Sequence, residues 1–185
     1  MDVYLETPRM LLRRITPEDE GLLLDLDSDP EVMRYLNGGV PSTIDDIRER
    51  VLPWALQDCG DARWGVWAAL LKPANEFIGW FHFYPSAQPP HDIEVGYRLR
   101  RAHWGVGLAT EGTAALIDKG FNEYGLERIV ARTLENNAAS RRVMEKAGMR
   151  YVSDADFTEH RFPGSATGVW YEIKRDEQAR GRSIA

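Results

Sequence analysis

At 185 residues and 43% hydrophobic content, the chain is long enough to bury a core of its own. It reads as a single domain over residues 1–175 followed by a polar tail over 176–185. The 23 Lys and Arg against 29 Asp and Glu leave a net charge of −6, which speaks against the basic face that a nucleic-acid grip requires. The one cysteine, Cys59, excludes an internal disulfide, the start of the chain lacks the unbroken apolar run of a secretion signal, and no apolar run reaches membrane-spanning length. The expectation is a soluble, cytoplasmic monomer or homodimer.

In chain order, Met10 to Ile15 reads as a first strand. Thr16-Pro17-Glu18-Asp19 then offers an N-cap, a proline at the first helical position and an acid at the third, so a helix follows through Leu26. Asp29-Pro30-Glu31 starts a second helix carrying Val32, Met33, Tyr35 and Leu36, which Asn37-Gly38-Gly39 ends. Ser42-Thr43 opens a third with Ile44, Ile47 and Val51 on one face, and Pro53 implies a kink or a break before Trp54. From Arg63 the period becomes that of strands: Trp64 to Leu71 and Phe77 to Tyr84 joined by Lys72 to Glu76, then Asp92 to Leu99 after a proline-rich loop, as an antiparallel meander. In the last of these, Ile93, Val95, Tyr97 and Leu99 share one face and Glu94, Gly96 and Arg98 the other, the pattern of a half-buried strand.

The stretch Trp104-Gly105-Val106-Gly107-Leu108-Ala109-Thr110-Glu111 leads from that strand into a helix with Ala114, Ile117 and Phe121, ending near Tyr124 at a Gly125 cap. A strand over Arg128 to Leu134 and a helix from Ala138 to Ala147, closed by Gly148, follow. Strand, helix and strand form a crossover, so the strands at Glu94 and Ile129 should run parallel. Strands at Met149 to Asp154 and Val169 to Lys174 complete the fold.

A glycine loop opening a helix leaves the first backbone N–H groups without intrahelical partners, at the positive end of the helix dipole, and so suits an anion. A phosphate-lysine loop is excluded, because no Gly-Lys-Ser/Thr sequence occurs. A dinucleotide fingerprint fits poorly: Thr110 stands where the third small residue belongs, although Glu127 falls near the distance of a ribose acid. A plain strand-to-helix turn remains open for the loop alone.

With the run Asn136-Asn137-Ala138-Ala139-Ser140-Arg141-Arg142-Val143-Met144-Glu145-Lys146-Ala147-Gly148-Met149 added, the chain resembles the GNAT superfamily of acyl-CoA-dependent N-acetyltransferases, and within it the RimJ/RimL-type branch of ribosomal-protein-alanine acetyltransferases. The other segments that carry the resemblance are Glu6 to Arg13 with Asp29 to Leu36, Ile93-Glu94-Val95-Gly96-Tyr97, and Trp104 to Glu111. What the resemblance implies is a mixed α/β fold. Its twisted, mostly antiparallel sheet has about six or seven strands flanked by helices. The parallel strands at Glu94 and Ile129 splay at one end, and the pantetheine arm of acetyl-CoA enters that cleft and pairs with the strand edge at Val95. The superfamily's pyrophosphate loop, Arg/Gln-x-x-Gly-x-Gly/Ala, falls on Trp104 to Ala109. Gly107 and Ala109 match, but Trp104 holds the Arg/Gln position, so backbone donors along Gly105, Val106, Gly107, Leu108, Ala109 and Thr110 are expected to hold the phosphates. The side chain of Asn137 would reach the cofactor, and Ser140 would lie near the thioester sulfur.

Amide formation requires that an amine lose a proton, an oxyanion be stabilised and a thiolate be protonated. Glu94 is the candidate base, through a water relay, with a solvated carboxylate as the alternative. The N–H of Val95 or Gly96 is the candidate oxyanion donor. Where many superfamily members carry a tyrosine acid, this chain has Met144, which leaves Ser140 as candidate acid, the alternative being a helix-start hydroxyl. Asn137 doubles as a helix N-cap. The expected reaction is direct attack by a primary amine on acetyl-CoA, without a metal. The branch implies a protein N-terminal α-amine as acceptor, and the breadth of the superfamily a polyamine, amino acid or aminosugar antibiotic. A non-catalytic acyl-CoA-binding sensor is the rival from another class. Cys59 is not expected to be a nucleophile, His82, His91, His103 and His160 lack metal-ligand spacing, and Gly164 to Gly168 is not a nucleophile elbow. Trp64, Trp67, Trp80, Phe81 and Phe83 read as core. Arg100, Arg101, Arg141 and Arg142 are candidates for the cofactor's ribose phosphate or for solvated charge, and the acids from Asp25 to Glu49 for attracting a cation or for a solvated face.

Overall fold

The computed structural model describes residues 2–57, 60–86, 92–156 and 167–182; Cys59, His91, His160 and residues 164–166 lie outside them. Its strands are β1 (Val3–Glu6), β2 (Met10–Arg14), β3 (Gly65–Leu71), β4 (Glu76–Pro85), β5 (Ile93–Leu99), β6 (Arg128–Leu134), β7 (Arg150–Asp156) and β8 (Thr167–Lys174). They form one eight-stranded sheet in the order β1-β2-β3-β4-β5-β6-β8-β7. All pairings are antiparallel except β5 with β6. The meander and the parallel crossover are therefore as expected, within a mixed α/β fold. The sheet is wider than expected because β1 was not anticipated. That strand is short and lies at an edge, and its main apolar contact is long-range, Tyr4 stacked on Trp67 with ring centroids 3.5 Å apart.

The helices are α1 (Glu20–Asp27), α2 (Pro30–Asn37), α3 (Ile44–Asp46), α4 (Leu52–Ala55), α5 (Leu108–Asn122), α6 (Ala138–Lys146) and α7 (Arg175–Arg182). The last occupies most of what composition suggested was a tail. Asp29 caps α2 by accepting from the Glu31 N–H at 2.9 Å, and Gly38 ends it at φ 82°. Thr43 and Asp46 form a capping box at α3. Pro53 does not break the chain as a helix: Ile47–Val51 makes a π turn, in which the Leu52 N–H reaches the carbonyl of Ile47, joining α3 to α4.

Two apolar layers sandwich the sheet. On one face Phe81, Phe83, Val95, Ile129, Ala131 and Tyr171 pack with Leu116, Ile117 and Phe121 of α5 and Met144 of α6. On the other Val66, Ala68 and Trp80 meet Leu23, Leu26, Val32 and Ile47. The five aromatics read as core, Trp64, Trp67, Trp80, Phe81 and Phe83, are all buried. The half-buried reading of β5 is corrected, since helical segments cover both faces and Glu94 is only 5% exposed.

Where β2 turns into the first helical layer, Asp19 is buried and accepts from both Arg13 Nη1 and Nη2 at 2.7 Å and from the Thr16 N–H at 2.8 Å. Burial raises its carboxyl, but the bonds from Arg13 and Thr16 outweigh it and hold it below the ordinary carboxylate range. Its stabilisation is thus present above the unfolded pKa and lost as pH falls through the folded one. Asp19→Asn is expected to lose about 2 kcal/mol at neutral pH. In denaturant melts the gap to the parent protein should close as acid protonates Asp19; a gap independent of pH would contradict this assignment.

Candidate active site

The parallel ladder between β5 and β6 contains two register pairs, Ile93 with Ile129 and Glu94 with Val130, and then stops while both strands continue. Past Glu94, the β5 edge that faces β6 is no longer paired to it, and backbone groups at such an edge call for a ligand or water. Side chains of β5 alternate, so the groups around this opening divide between the two faces of the sheet.

Glu94 lies on the face toward α1. The Nε of Arg132, from β6, donates to its Oε1 at 3.1 Å, and the Nε2 of His82, from β4, stands 3.9 Å from the same oxygen. Burial raises the Glu94 carboxyl, opposed by the charge and hydrogen bond of Arg132 and by a bond from Ser86. The solvated-carboxylate alternative is therefore excluded. Burial that raises a carboxyl makes it a stronger proton acceptor than a solvated one, which is the change general-base chemistry uses.

On the opposite face, the Tyr97 hydroxyl lies 3.0 Å from Ser140 Oγ, at the first turn of α6. Burial pushes the Tyr97 phenol up to about 12, keeping it protonated. Asn137 caps α6 through its side-chain oxygen, which accepts from the Ser140 N–H at 3.2 Å. Met144 is buried in the core beneath. Sequence reasoning missed Tyr97 as a candidate acid, assigning it only to the core face of its strand. Its reach to Ser140 depends on how α6 docks against β5, which no spacing reveals. Arg132 and His82 were likewise missed as neighbours of Glu94.

Trp104 to Gly107 leads into α5, whose first ladder bond runs from the Glu111 N–H to the Gly107 carbonyl at 3.0 Å. The N–H groups of Leu108, Ala109 and Thr110 precede that bond and lie outside the ladder. Gly107 sits at φ 86°, a left-handed conformation that side chains rarely adopt. Trp104 does not aim a side-chain donor at the loop's concave side; its indole N–H donates to the Leu99 carbonyl at 2.7 Å and ties the loop to the end of β5. From β2's approach, Arg9 donates to Glu111 through its backbone N–H (3.0 Å) and Nε (2.6 Å), and through Nη1 to the Val106 carbonyl (2.8 Å). The segments Glu6 to Arg13 and Trp104 to Glu111 thus meet in space.

Most other charges have structural partners. Arg98 pairs with the fully buried Asp27, Arg100 with Asp25 and Arg101 with Asp29, joining the end of β5 to α1 and α2. Arg141 bonds the Tyr171 hydroxyl and the Glu135 carbonyl, and Arg142 is exposed. His103 faces Glu76 at 3.4 Å. Among the described residues no three His, Cys, Asp or Glu side chains gather as metal ligands, and no helix is long and apolar enough to cross a membrane.

Residues 9–150 match the family described as Acetyltransferase (GNAT) domain. The FsC-acetyl coenzyme A-N(2)-transacetylase of Aspergillus fumigatus is 32% identical over 188 residues, covering 95% of this chain and 78% of that protein. The crystal structure of a GNAT-family acetyltransferase from Bacillus anthracis superposes with a TM-score of 0.77 at 27% identity, covering 92% of this chain and 98% of that one. The aminoglycoside acetyltransferase AAC(6')-Ib, solved with coenzyme A and kanamycin, shares the fold with a TM-score of 0.74 at 21% identity, over 94% of this chain and 99% of that one.

The Arg9 contacts make the glycine loop's rigidity depend on a residue remote in sequence. Arg9→Ala is expected to speed amide exchange at Glu111 to Ala114, the first bonded amides of α5, by about tenfold, the loss of one to two charge-assisted bonds. Unchanged exchange, read by mass spectrometry, would show that the loop holds its shape alone.

Proposed function

The chain belongs to the GNAT acetyltransferase family, and on that premise we propose that it transfers the acetyl group of acetyl-CoA to a primary amine by direct attack. The observation that carries this reading is the opening of the β5–β6 ladder directly after Glu94. It leaves a carboxylate raised by burial on one face of the sheet and the Tyr97–Ser140 pair on the other.

In this reading the pyrophosphate rests on the N–H groups of Leu108, Ala109 and Thr110 and on the backbone of Gly105, Val106 and Gly107, at the positive end of α5. Trp104 supports the loop from behind. The pantetheine arm pairs with the β5 edge at Val95. Asn137 has its oxygen committed to the cap, so it would meet the cofactor through Nδ2. Glu94 takes a proton from the acceptor ammonium, directly or through water. The freed nitrogen forms the C–N bond, the N–H of Val95 or Gly96 receives the developing oxyanion, and the C–S bond breaks with its electron pair on sulfur. The thiolate takes a proton through Ser140 and Tyr97, matching the second proton that leaves nitrogen. Glu94 returns its proton to solvent, so the sum is ammonium plus thioester giving amide, thiol and one proton.

The Tyr97 phenol supplies the proton donor that Met144 does not, and so favours an enzyme over a non-catalytic acyl-CoA sensor. For the acceptor, the RimJ/RimL-type motifs favour a protein N-terminal α-amine. A small-molecule amine is the second reading, favoured by the relative named for transfer to an N(2) position.

Thiol release from acetyl-CoA should exceed background with at least one member of a panel of N-terminal alanine peptides, aminoglycosides, amino acids and polyamines. Coenzyme A binding without turnover on any of them would support the sensor instead. Glu94→Gln should lower kcat by about 100-fold or more and remove the rise of kcat/KM with pH, while coenzyme A affinity measured by calorimetry stays within about twofold. A full pH profile surviving in the variant would exclude Glu94 as base.

A further inference from the structure

His82 is a largely buried base whose ring the fold has made room for and whose nitrogens, among the described residues, accept and donate no hydrogen bond. It lies opposite Gly96 in the β4–β5 ladder, and its imidazole fills the space above that glycine: a Cβ on residue 96 would stand 2.5 Å from Cε1 and 2.6 Å from Nε2. Any larger residue at 96 would evict the ring. Around it stand Tyr84, Trp80 and Trp54, at centroid distances of 4.6, 6.0 and 6.2 Å. The side chain is 13% exposed, yet among the described residues neither Nδ1 nor Nε2 has a hydrogen-bond partner. Trp54 and Tyr84 bond to each other instead, at 3.3 Å.

Buried polar atoms in native proteins are almost always paired, and one left unpaired costs as much as the lost bond or more. Such an atom beside a reaction centre points to a ligand that completes it. The charged groups that face His82 are Glu94, Arg132 and Arg98, the last paired with Asp27 from α1. Burial, with the charges of Arg132 and Arg98, pushes the imidazole down to about 3. At neutral pH the ring is therefore uncharged and offers one lone pair and one N–H.

We propose that His82 seats the acceptor amine, its unprotonated ring nitrogen accepting a hydrogen bond from the acceptor's N–H so that the nitrogen is held beside Glu94 on the α1 face of the sheet. This rests on the acetyl-transfer reading above. The proton balance is unchanged: Glu94 takes the ammonium proton, and His82 neither gains nor loses one. His82 thus accounts for orientation, Glu94 for the proton, and Gly96 for the space that the His82 ring occupies beside Glu94. The approach is from the face opposite Ser140 and Tyr97, so nucleophile and leaving thiolate lie on opposite sides of the sheet.

The test compares His82→Phe, which keeps a ring but no nitrogen, with His82→Asn, which restores a polar group, using the best acceptor from the amine panel. His82→Phe should raise the acceptor KM by about tenfold or more, leave coenzyme A affinity and the melting temperature near those of the parent, and be partly rescued in His82→Asn. An unchanged acceptor KM in a folded His82→Phe protein would overturn the inference while leaving the acetyl-transfer reading intact. Absence of transfer by the parent protein to every panel amine would overturn that reading and the inference with it. If His82→Phe fails to fold, the parent protein decides. With coenzyme A bound, the ring-nitrogen resonances of His82 should move on adding the acceptor, and resonances that stay fixed would sink the proposal.

Discussion

The structure depends on a ladder that stops. Two parallel strands hydrogen-bond through Glu94 and Val130 and then diverge, although each continues for several residues in the same sheet. Elsewhere along their length, β4 and β8 hold the outer edges of β5 and β6, so the divergence is confined to the inner edges. A sheet interior that stays open in this way sets strand-edge donors and acceptors at the centre of the molecule, where unpaired groups are costly. Helices α5 and α6 cover the opening from one face and present two N-termini toward that side, whereas the helical segments from α1 to α4 cover the other.

The second constraint is charge. Carboxylates can be buried on the α1 face only if each finds a cation, and arginines on neighbouring strands provide them: Arg98 for Asp27, Arg132 for Glu94, and Arg128 and Arg150 for Glu172. The same pairing explains the acidic first helical layer. Asp25, Asp27 and Asp29 are ion-paired to three arginines at the end of β5, so they join helices to sheet rather than forming a field for a cationic ligand. Because those arginines immediately precede the glycine loop, the α1–α2 layer and the loop are anchored to one strand end. Arg9 adds a second anchor from the opposite direction.

Glycine serves two different ends beside the opening. At Gly107 it permits a left-handed turn that starts α5 with its N–H groups free of the ladder. At Gly96 the backbone is ordinary strand, and what matters is the missing Cβ, whose place the imidazole of His82 takes. The first is a local requirement and is readable from a glycine next to a helix start. The second is a contact between two strands and has no local signature.

That difference runs through the whole molecule. Caps and turns are local chemistry, so the boundaries of α2, the helix start at Thr43, the N-cap at Asn137, the β3–β4 hairpin and the strand at Arg128 were legible in the sequence. So were the parallel pairing of β5 with β6, which follows from crossover geometry, and the placing of Glu94 on the central strand. The edge strand β1 was not, because its stability comes from stacking Tyr4 on a tryptophan more than sixty residues away. Nor were the groups that complete the site: Arg132 and His82 around Glu94, and Tyr97 against Ser140. By itself the sequence determined most of the strands and helices between β2 and β8 and the place of Glu94 on the central strand, since periodicity and capping act within a few residues. Only the tertiary structure decided the burial and charge around Glu94, the pairing of Tyr97 with Ser140 and the place of the His82 ring over Gly96. Burial and charge at those atoms are sums over strands that meet only when the sheet has formed.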